Sequence, residues 1–185
     1  MFFANQLFKL CCYFKIITFG EDKMNYHNIT KTDMLNGNGL RVVLWASGCN
    51  HRCKECQNPE TWDEFGGIAF DDYAKQEIFD ELEKDYIQGI TFSGGDPLFP
   101  NNRKEIGELA QEIHKKYPNK DIWLYTGYTF EQIKNWEYLK YIDVLVDGPY
   151  IPSMKELGLK WKGSSNQRVI DVKKSLQSGN VILID

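Results

Sequence analysis

Leu40-Arg41-Val42-Val43-Leu44-Trp45-Ala46-Ser47-Gly48-Cys49-Asn50-His51-Arg52-Cys53-Lys54-Glu55-Cys56 is the stretch on which both fold and chemistry turn. Its first half, residues 40–47, is a short apolar run with paired valines, which predicts a strand buried in a parallel sheet. Its second half is a polar loop carrying Cys49, Cys53 and Cys56 in the spacing Cys-x3-Cys-x2-Cys. Three thiolates on one loop can hold an iron-sulfur cluster but leave one corner of a 4Fe-4S cube without a cysteine, because ordinary saturation takes four. That corner is free to bind a substrate. A Cys3His zinc site using His51 draws on the same ligand types and stays open as the alternative. It fits less well: structural zinc sites bring their ligands as two pairs with a spacer, and no second pair follows Cys56. Cys11 and Cys12 are adjacent and far upstream. An odd count of 5 cysteines in 185 residues also argues against a disulfide framework.

Outward from the loop the chain alternates helices and strands. Residues 70–86 place Tyr73, Ile78, Phe79 and Leu82 at helical spacing, and residues 90–92 return to strand. Residues 104–117 carry Ile106, Leu109, Ala110 and Ile113 on one helix face. A strand over 122–125, a short helix over 130–136, an apolar strand over 142–146 and a last strand over 181–184 complete the reading. Buried strands alternating with helices imply a parallel sheet with right-handed crossovers. The units are too few for an eight-fold barrel.

Directly after the strand at 90–92 stands Ser93-Gly94-Gly95-Asp96-Pro97. Paired glycines at the carboxyl end of a strand let backbone approach a ligand closely. Taken alone such a turn is more often a plain connection. In open α/β sheets, however, ligands bind outside the carboxyl ends of the strands, where this turn and the cysteine loop both emerge. The two motifs are expected to face each other.

Composition narrows the class. A chain with 42% hydrophobic and 26% charged residues builds one domain with a real core. A net charge of -4 offers no basic field for nucleic acid. No apolar run approaches the length that spans a bilayer. Residues 1–23 read differently, as an aromatic and apolar segment with scattered lysines. They lack a basic n-region and a small-residue cleavage site, so the expectation is an upstream translation artefact or a dispensable extension outside the fold, with a genuine signal or membrane anchor as the alternative, and residues 24–185 as a single domain.

The order of these motifs resembles the radical S-adenosylmethionine enzymes. It is most similar to the activating proteins of anaerobic, class III ribonucleoside-triphosphate reductases. The resemblance is carried by Ser47-Gly48-Cys49, Cys56-Gln57-Asn58 with Thr61-Trp62, the Gly94-Gly95-Asp96 turn, Trp123-Leu124-Tyr125-Thr126-Gly127-Tyr128, Asp143 to Gly148, and Gly163 to Arg168. It spans residues 24 to the end. Two places depart from the common pattern: Glu55 stands where an aromatic residue usually precedes the third cysteine, and Asp96 replaces the commoner glutamate.

The resemblance implies an α/β fold, specifically a partial, open (β/α) barrel with a mostly parallel sheet. It implies an oxidoreductase in which Cys49, Cys53 and Cys56 are the metal ligands and catalytic residues. Around S-adenosylmethionine it implies Glu55, Cys56, Gln57, Gly94, Gly95 and Asp96. The reaction it implies cleaves S-adenosylmethionine into methionine and a 5′-deoxyadenosyl radical, which removes a hydrogen from a glycine of the reductase large subunit. It further implies a cytoplasmic protein served by an electron donor such as flavodoxin, with neither nucleic acid nor membrane as partner. The alternatives are an activase of another glycyl radical enzyme, of the pyruvate formate-lyase type, and a non-enzymatic zinc or iron-sulfur protein.

Among weaker signals, Tyr125, Thr126 and Asp147 end strands on the ligand side, equally as ligand contacts or as loop anchors. Residues 161–168 suit an ordered loop that could dock a partner. His51 reads as a solvated loop histidine, and His27 and His114 as surface residues.

Overall fold

The computed structural model describes residues 23–184. The expectation about residues 1–23 therefore lies, except for Lys23, outside the described residues. In chain order the elements are β1 (Asn25–Asp33), β2 (Arg41–Ala46), β3 (Ile68–Ala69), α1 (Asp72–Leu82), β4 (Gly89–Gly94), α2 (Arg103–Lys116), β5 (Asp121–Tyr125), α3 (Phe130–Ile133), β6 (Val144–Asp147), β7 (Arg168–Asp171) and α4 (Val172–Ser178).

The strands form one seven-stranded sheet in the order β3-β1-β2-β4-β5-β6-β7. Its centre, β2-β4-β5-β6, is parallel, as the alternating pattern requires. Both edges are antiparallel, where β1 pairs with β2 and β3, and β7 pairs with β6. The reading from periodicity missed these edge strands. β1 is mostly polar, with few of its side chains in the core, so the apolar signal that marks a strand is weak there.

Alternation along each strand sorts the interior into two faces. Val42, Leu44, Ile90, Phe92, Ile122, Leu124, Leu145 and Ile170 share one apolar cluster with buried residues of all the helices, among them Ile78, Ile106, Phe130 and Val172. On the opposite face Trp123, Val144, Val146 and Val169 form a second cluster, joined by Tyr125 and Trp161. Helices thus cover one face of the sheet, and the other carries aromatic side chains.

Local chemistry explains the helix ends. The Asp71 carboxylate caps α1 by accepting from Ala74 N at 2.9 Å, and Asp171 caps α4 by accepting from Lys174 N at 2.9 Å. His114, Lys115 and Lys116 sit in the last turn of α2, where positive charge complements the helix dipole. Gly179, at φ 73°, ends α4 in the left-handed conformation that glycine adopts most cheaply.

Three expectations need correction. Tyr73 is 87% exposed and does not belong to the buried face of α1. Residues 181–184 form no full strand; they meet β7 through one bridge, Ile170 to Leu183, with Asp171 N donating to Ile182 O at 2.9 Å and Ile184 N to Val169 O at 2.8 Å. Arg168, assigned to a loop, opens β7.

Arg41 is fully buried at the amino end of β2, the end of the strand away from the cysteines. Its guanidinium lies 2.6 Å from Asp121 Oδ1, donates to Thr91 Oγ1 at 2.8 Å and to Ile90 O at 2.8 Å, and lies over the Trp123 ring. Burial pulls its pKa down while the Asp121 carboxylate opposes that shift. The Asp121 side chain is 31% exposed and keeps access to water, so removing Arg41 chiefly leaves the buried acceptors Thr91 Oγ1 and Ile90 O short of a donor, which costs about 1–3 kcal/mol. Arg41→Met is expected to lose that order of stability in anaerobic urea unfolding.

Candidate metal and cofactor site

The backbone around the cysteines is pinned at its root. At the end of β2, Ser47 N donates to Asn25 O at 2.8 Å, Gly48 N to Thr61 O at 2.8 Å, and Cys49 N to Trp62 O at 3.1 Å. The first ties the root to β1, and the other two tie the start of the loop to the 3-10 turn Pro59–Trp62 at its far end. Between them two non-glycine residues take positive φ, Arg52 at 45° and Glu55 at 56°. Such conformations are uncommon without glycine, and they occur immediately before Cys53 and Cys56. Cys49 is buried, Cys53 and Cys56 are partly exposed, and all three thiols are free.

The glycine turn meets this root directly. Gly95 N donates to Ala46 O at 2.8 Å and Asp96 N to Gly48 O at 2.8 Å, so pairing between β4 and β2 continues beyond the strands into the loop. Each glycine is required by that approach. A Cβ at Gly94, whose φ is 106°, would stand 2.5 Å from Ala46 O, and one at Gly95 would stand 2.5 Å from Gly48 O and 2.6 Å from Thr61 O. The sequence suggested that the glycines make room for a ligand; the atoms that a side chain would strike belong to the neighbouring backbone.

Cys49, Cys53, Cys56, Gln57, Gly94 and Gly95 line one cavity of about 580 Å³. That volume is in the range of small-molecule sites. The two motifs therefore face each other across a single space. Glu55 does not line it, and its side chain is 65% exposed. Asp96 does not line it either. Its carboxylate is 1% exposed and accepts from Leu98 N at 2.8 Å, Thr126 Oγ1 at 2.9 Å and Gly127 N at 3.0 Å.

His51 is not a solvated loop residue. Its side chain is 20% exposed, its Nε2 lies 2.8 Å from Asp96 Oδ2, and its ring meets Tyr128 edge-on at 4.6 Å between centroids. The Nε2 to Asp96 contact is out of line for a directed hydrogen bond, so it acts through proximity of charge and dipole. No sequence signal beyond position within the cysteine loop marks this histidine, because its partners come from two other strand ends.

The strand-end polar residues divide. Thr126 lines the cavity and donates to Asp96. Asp147 is an anchor: buried to 1% exposure, it accepts from Phe130 N at 2.7 Å and from Arg168 Nε at 2.9 Å, which sets the start of α3 against β7. Arg168 also pairs with Glu131 and holds its carboxyl well below the usual range. Tyr125 lines the cavity, and its buried hydroxyl has no hydrogen-bond partner. Burial pushes its pKa up. Trp161, which lies T-shaped on Trp123 at 4.8 Å, also lines the cavity. Sequence alternation along β5 could have shown that Trp123 and Tyr125 share a face.

The donor set is three thiols of one loop on one cavity, the ligand type that iron-sulfur clusters take. Among the described residues, no three His, Cys, Asp or Glu side chains converge closely enough to hold a single metal ion. Nε2 of His51 faces Asp96. Burial raises the Cys49 pKa, so in the metal-free protein this thiol resists the ionisation that metal binding requires.

Residues 35–170 match the family model described as a 4Fe-4S single cluster domain. The chain is 48% identical over 146 residues, covering 79% of this chain and 93% of the relative, to the anaerobic ribonucleoside-triphosphate reductase-activating protein of Enterobacteria phage T4. Proteins of the same name are 42% identical in Haemophilus influenzae, over 78% of this chain and 96% of theirs, and 41% identical in Escherichia coli K12, over 79% and 97%. The chain belongs to the family of anaerobic ribonucleoside-triphosphate reductase-activating proteins. Members of that family match nearly all of their own length here, and the matched 4Fe-4S domain contains the cysteine loop, the glycine turn and β2 through β6. No helix among the described residues is long and apolar enough to cross a membrane.

Proposed function

We propose that this protein activates an anaerobic ribonucleoside-triphosphate reductase by installing a glycyl radical on its large subunit. The observation that carries the reading is the single cavity lined by three thiols of one loop and by the Gly94-Gly95 turn, in a chain of the activating-protein family. Cys49, Cys53 and Cys56 would hold a 4Fe-4S cluster as thiolates. When bound, the cluster and S-adenosylmethionine supply a one-electron cleavage that yields methionine and a 5′-deoxyadenosyl radical, and that radical takes a hydrogen atom from the partner's glycine.

The protein's own contribution is placement and exclusion. Gly94, Gly95 and Gln57 would contact S-adenosylmethionine from the side facing the thiols. Asp96 supports that turn from beneath, through Leu98 N and Gly127 N. Glu55, exposed and outside the cavity, is assigned no contact. Tyr125, on the sheet face opposite the helices, and Trp161, packed against that face, would exclude water around the adenosyl group. We place this chemistry in a partial barrel formed by the central strands, in the reducing cytoplasm, with an electron donor of the flavodoxin type. Residues 24–185 form the working unit, in which Met24 N donates to Glu105 Oε2 at 2.9 Å.

Anaerobic reconstitution followed by reduction tests the reading. About four irons per chain with sulfide, 5′-deoxyadenosine formation, and a glycyl radical doublet on the anaerobic reductase are expected. One zinc per chain without iron would overturn the cluster. Activation of a pyruvate formate-lyase type partner, with the reductase left inactive, would overturn the named partner and keep the chemistry.

A further inference from the structure

We propose that His51 is a positioning residue: it seats the cysteine loop on the end of β5, with Asp96 as its post and Gly127 as its socket. The inference rests on the reading that the loop holds a cluster. His51 stands between Cys49 and Cys53 in sequence, so whatever fixes its ring constrains both thiols. Three contacts fix it. Nε2 is 2.8 Å from Asp96 Oδ2, the ring meets Tyr128 at 4.6 Å, and the ring lies against the α-carbon of Gly127. A Cβ at Gly127 would stand 2.6 Å from His51 Cγ and 2.7 Å from His51 Nε2, so the imidazole occupies the space that any other residue's side chain would take. Gly127 carries no left-handed strain that would otherwise demand glycine.

Asp96 is itself immobile. It is 1% exposed, and Leu98 N, Thr126 Oγ1 and Gly127 N occupy its carboxylate oxygens. One carboxylate therefore links three segments: the cysteine loop through His51, the glycine turn through its own backbone, and the β5 end through Thr126 and Gly127. This arrangement makes Asp96 a holder of loop geometry, reached by the cofactor only through the turn. Groups that orient metal ligands in this way typically change metal affinity or activity by about 10–100-fold when removed.

The test is a double-mutant cycle on the full chain with two readouts. In metal-free protein, the buried Cys49 thiol should react with iodoacetamide faster in His51→Ala and in Gly127→Ala than in wild type, because the unseated loop opens more often. Gly127→Ala introduced into the His51→Ala background should add nothing further, because the colliding ring is gone. In reconstituted protein, His51→Ala should carry wild-type iron but release it to a chelator about 10-fold faster without S-adenosylmethionine present. The change that S-adenosylmethionine induces in the cluster's paramagnetic resonance signal should also need more of it. Asp96→Asn should reproduce the faster release, an effect that a direct cofactor ligand would not produce in the cofactor's absence. Cys49 reactivity unchanged in His51→Ala, or effects of His51 and Gly127 that add, would overturn the role. If His51→Ala fails to fold, Gly127→Ala and His51→Asn carry the same comparison. A wild-type protein that takes up no iron while the alkylation cycle holds would sink the cluster reading and leave the seating role standing.

Discussion

Replacing any one of Cys49, Cys53 and Cys56 with alanine is expected to abolish retention of a full cluster and, with it, glycyl radical formation. Each thiolate would hold its own iron, and among the described residues these are the free cysteines. The loop is bound at its root through Gly48 and Cys49, so a neighbouring backbone group cannot swing in as a substitute ligand without breaking those bonds. Loss of one thiolate leaves its iron without a protein ligand that any other described cysteine could replace. Iron and sulfide analysis after anaerobic desalting, together with the visible absorption of the reconstituted protein, measures the effect. Cys11→Ser and Cys12→Ser, or removal of residues 1–22, should leave both unchanged. A Cys53→Ala protein that keeps the full iron complement would remove the loop from the site.

Gly95→Val should be nearly as damaging, for a reason that differs from the one suggested by sequence. A ligand-facing glycine would, on substitution, spare the cluster and weaken the cofactor. The Cβ at this position instead meets Gly48 O at 2.5 Å and Thr61 O at 2.6 Å, both backbone atoms at the root of the cysteine loop. Backbone held in a hydrogen-bonded ladder cannot yield as a flexible side chain would, so the turn or the loop must shift. Stability should fall by about 1–3 kcal/mol, the usual cost of overpacking. Cluster retention should fall together with S-adenosylmethionine binding. Anaerobic urea unfolding and iron content report these separately. Normal iron retention with only the cofactor response lost would show that Gly95 acts through its contact with the cofactor alone and not through the root of the cysteine loop.

Much of this was legible before any fold was known, and the part that was not has an identifiable cause. The central strands announced themselves because β2, β4, β5 and β6 are buried on both faces and read as apolar runs. The edges did not, since β1 and β3 contribute few buried apolar side chains and β7 is short. Helix faces over Ile106 to Ile113 followed from spacing, whereas Tyr73 shared the spacing without the burial. A 3.6-residue period tells which residues align, and packing decides which of them are covered.

The candidate site divides along the same line. Local chemistry, namely thiols at close spacing and glycines at a strand end, is written in consecutive residues, so Cys49, Cys53, Cys56, Gly94 and Gly95 could be picked out from sequence. Relations between strand ends are not. That Asp96 turns away from the cavity toward Thr126 and Gly127, that His51 closes on it, and that Asp147 is tied to Arg168 depend on which strand carboxyl ends the parallel register brings side by side. Sequence by itself singled out the three thiols, the glycine turn and the alternation that builds the sheet. Tertiary structure alone decided which polar side chains face the cavity and which hold its walls, because burial and hydrogen-bond partners are properties of neighbours far apart in the chain.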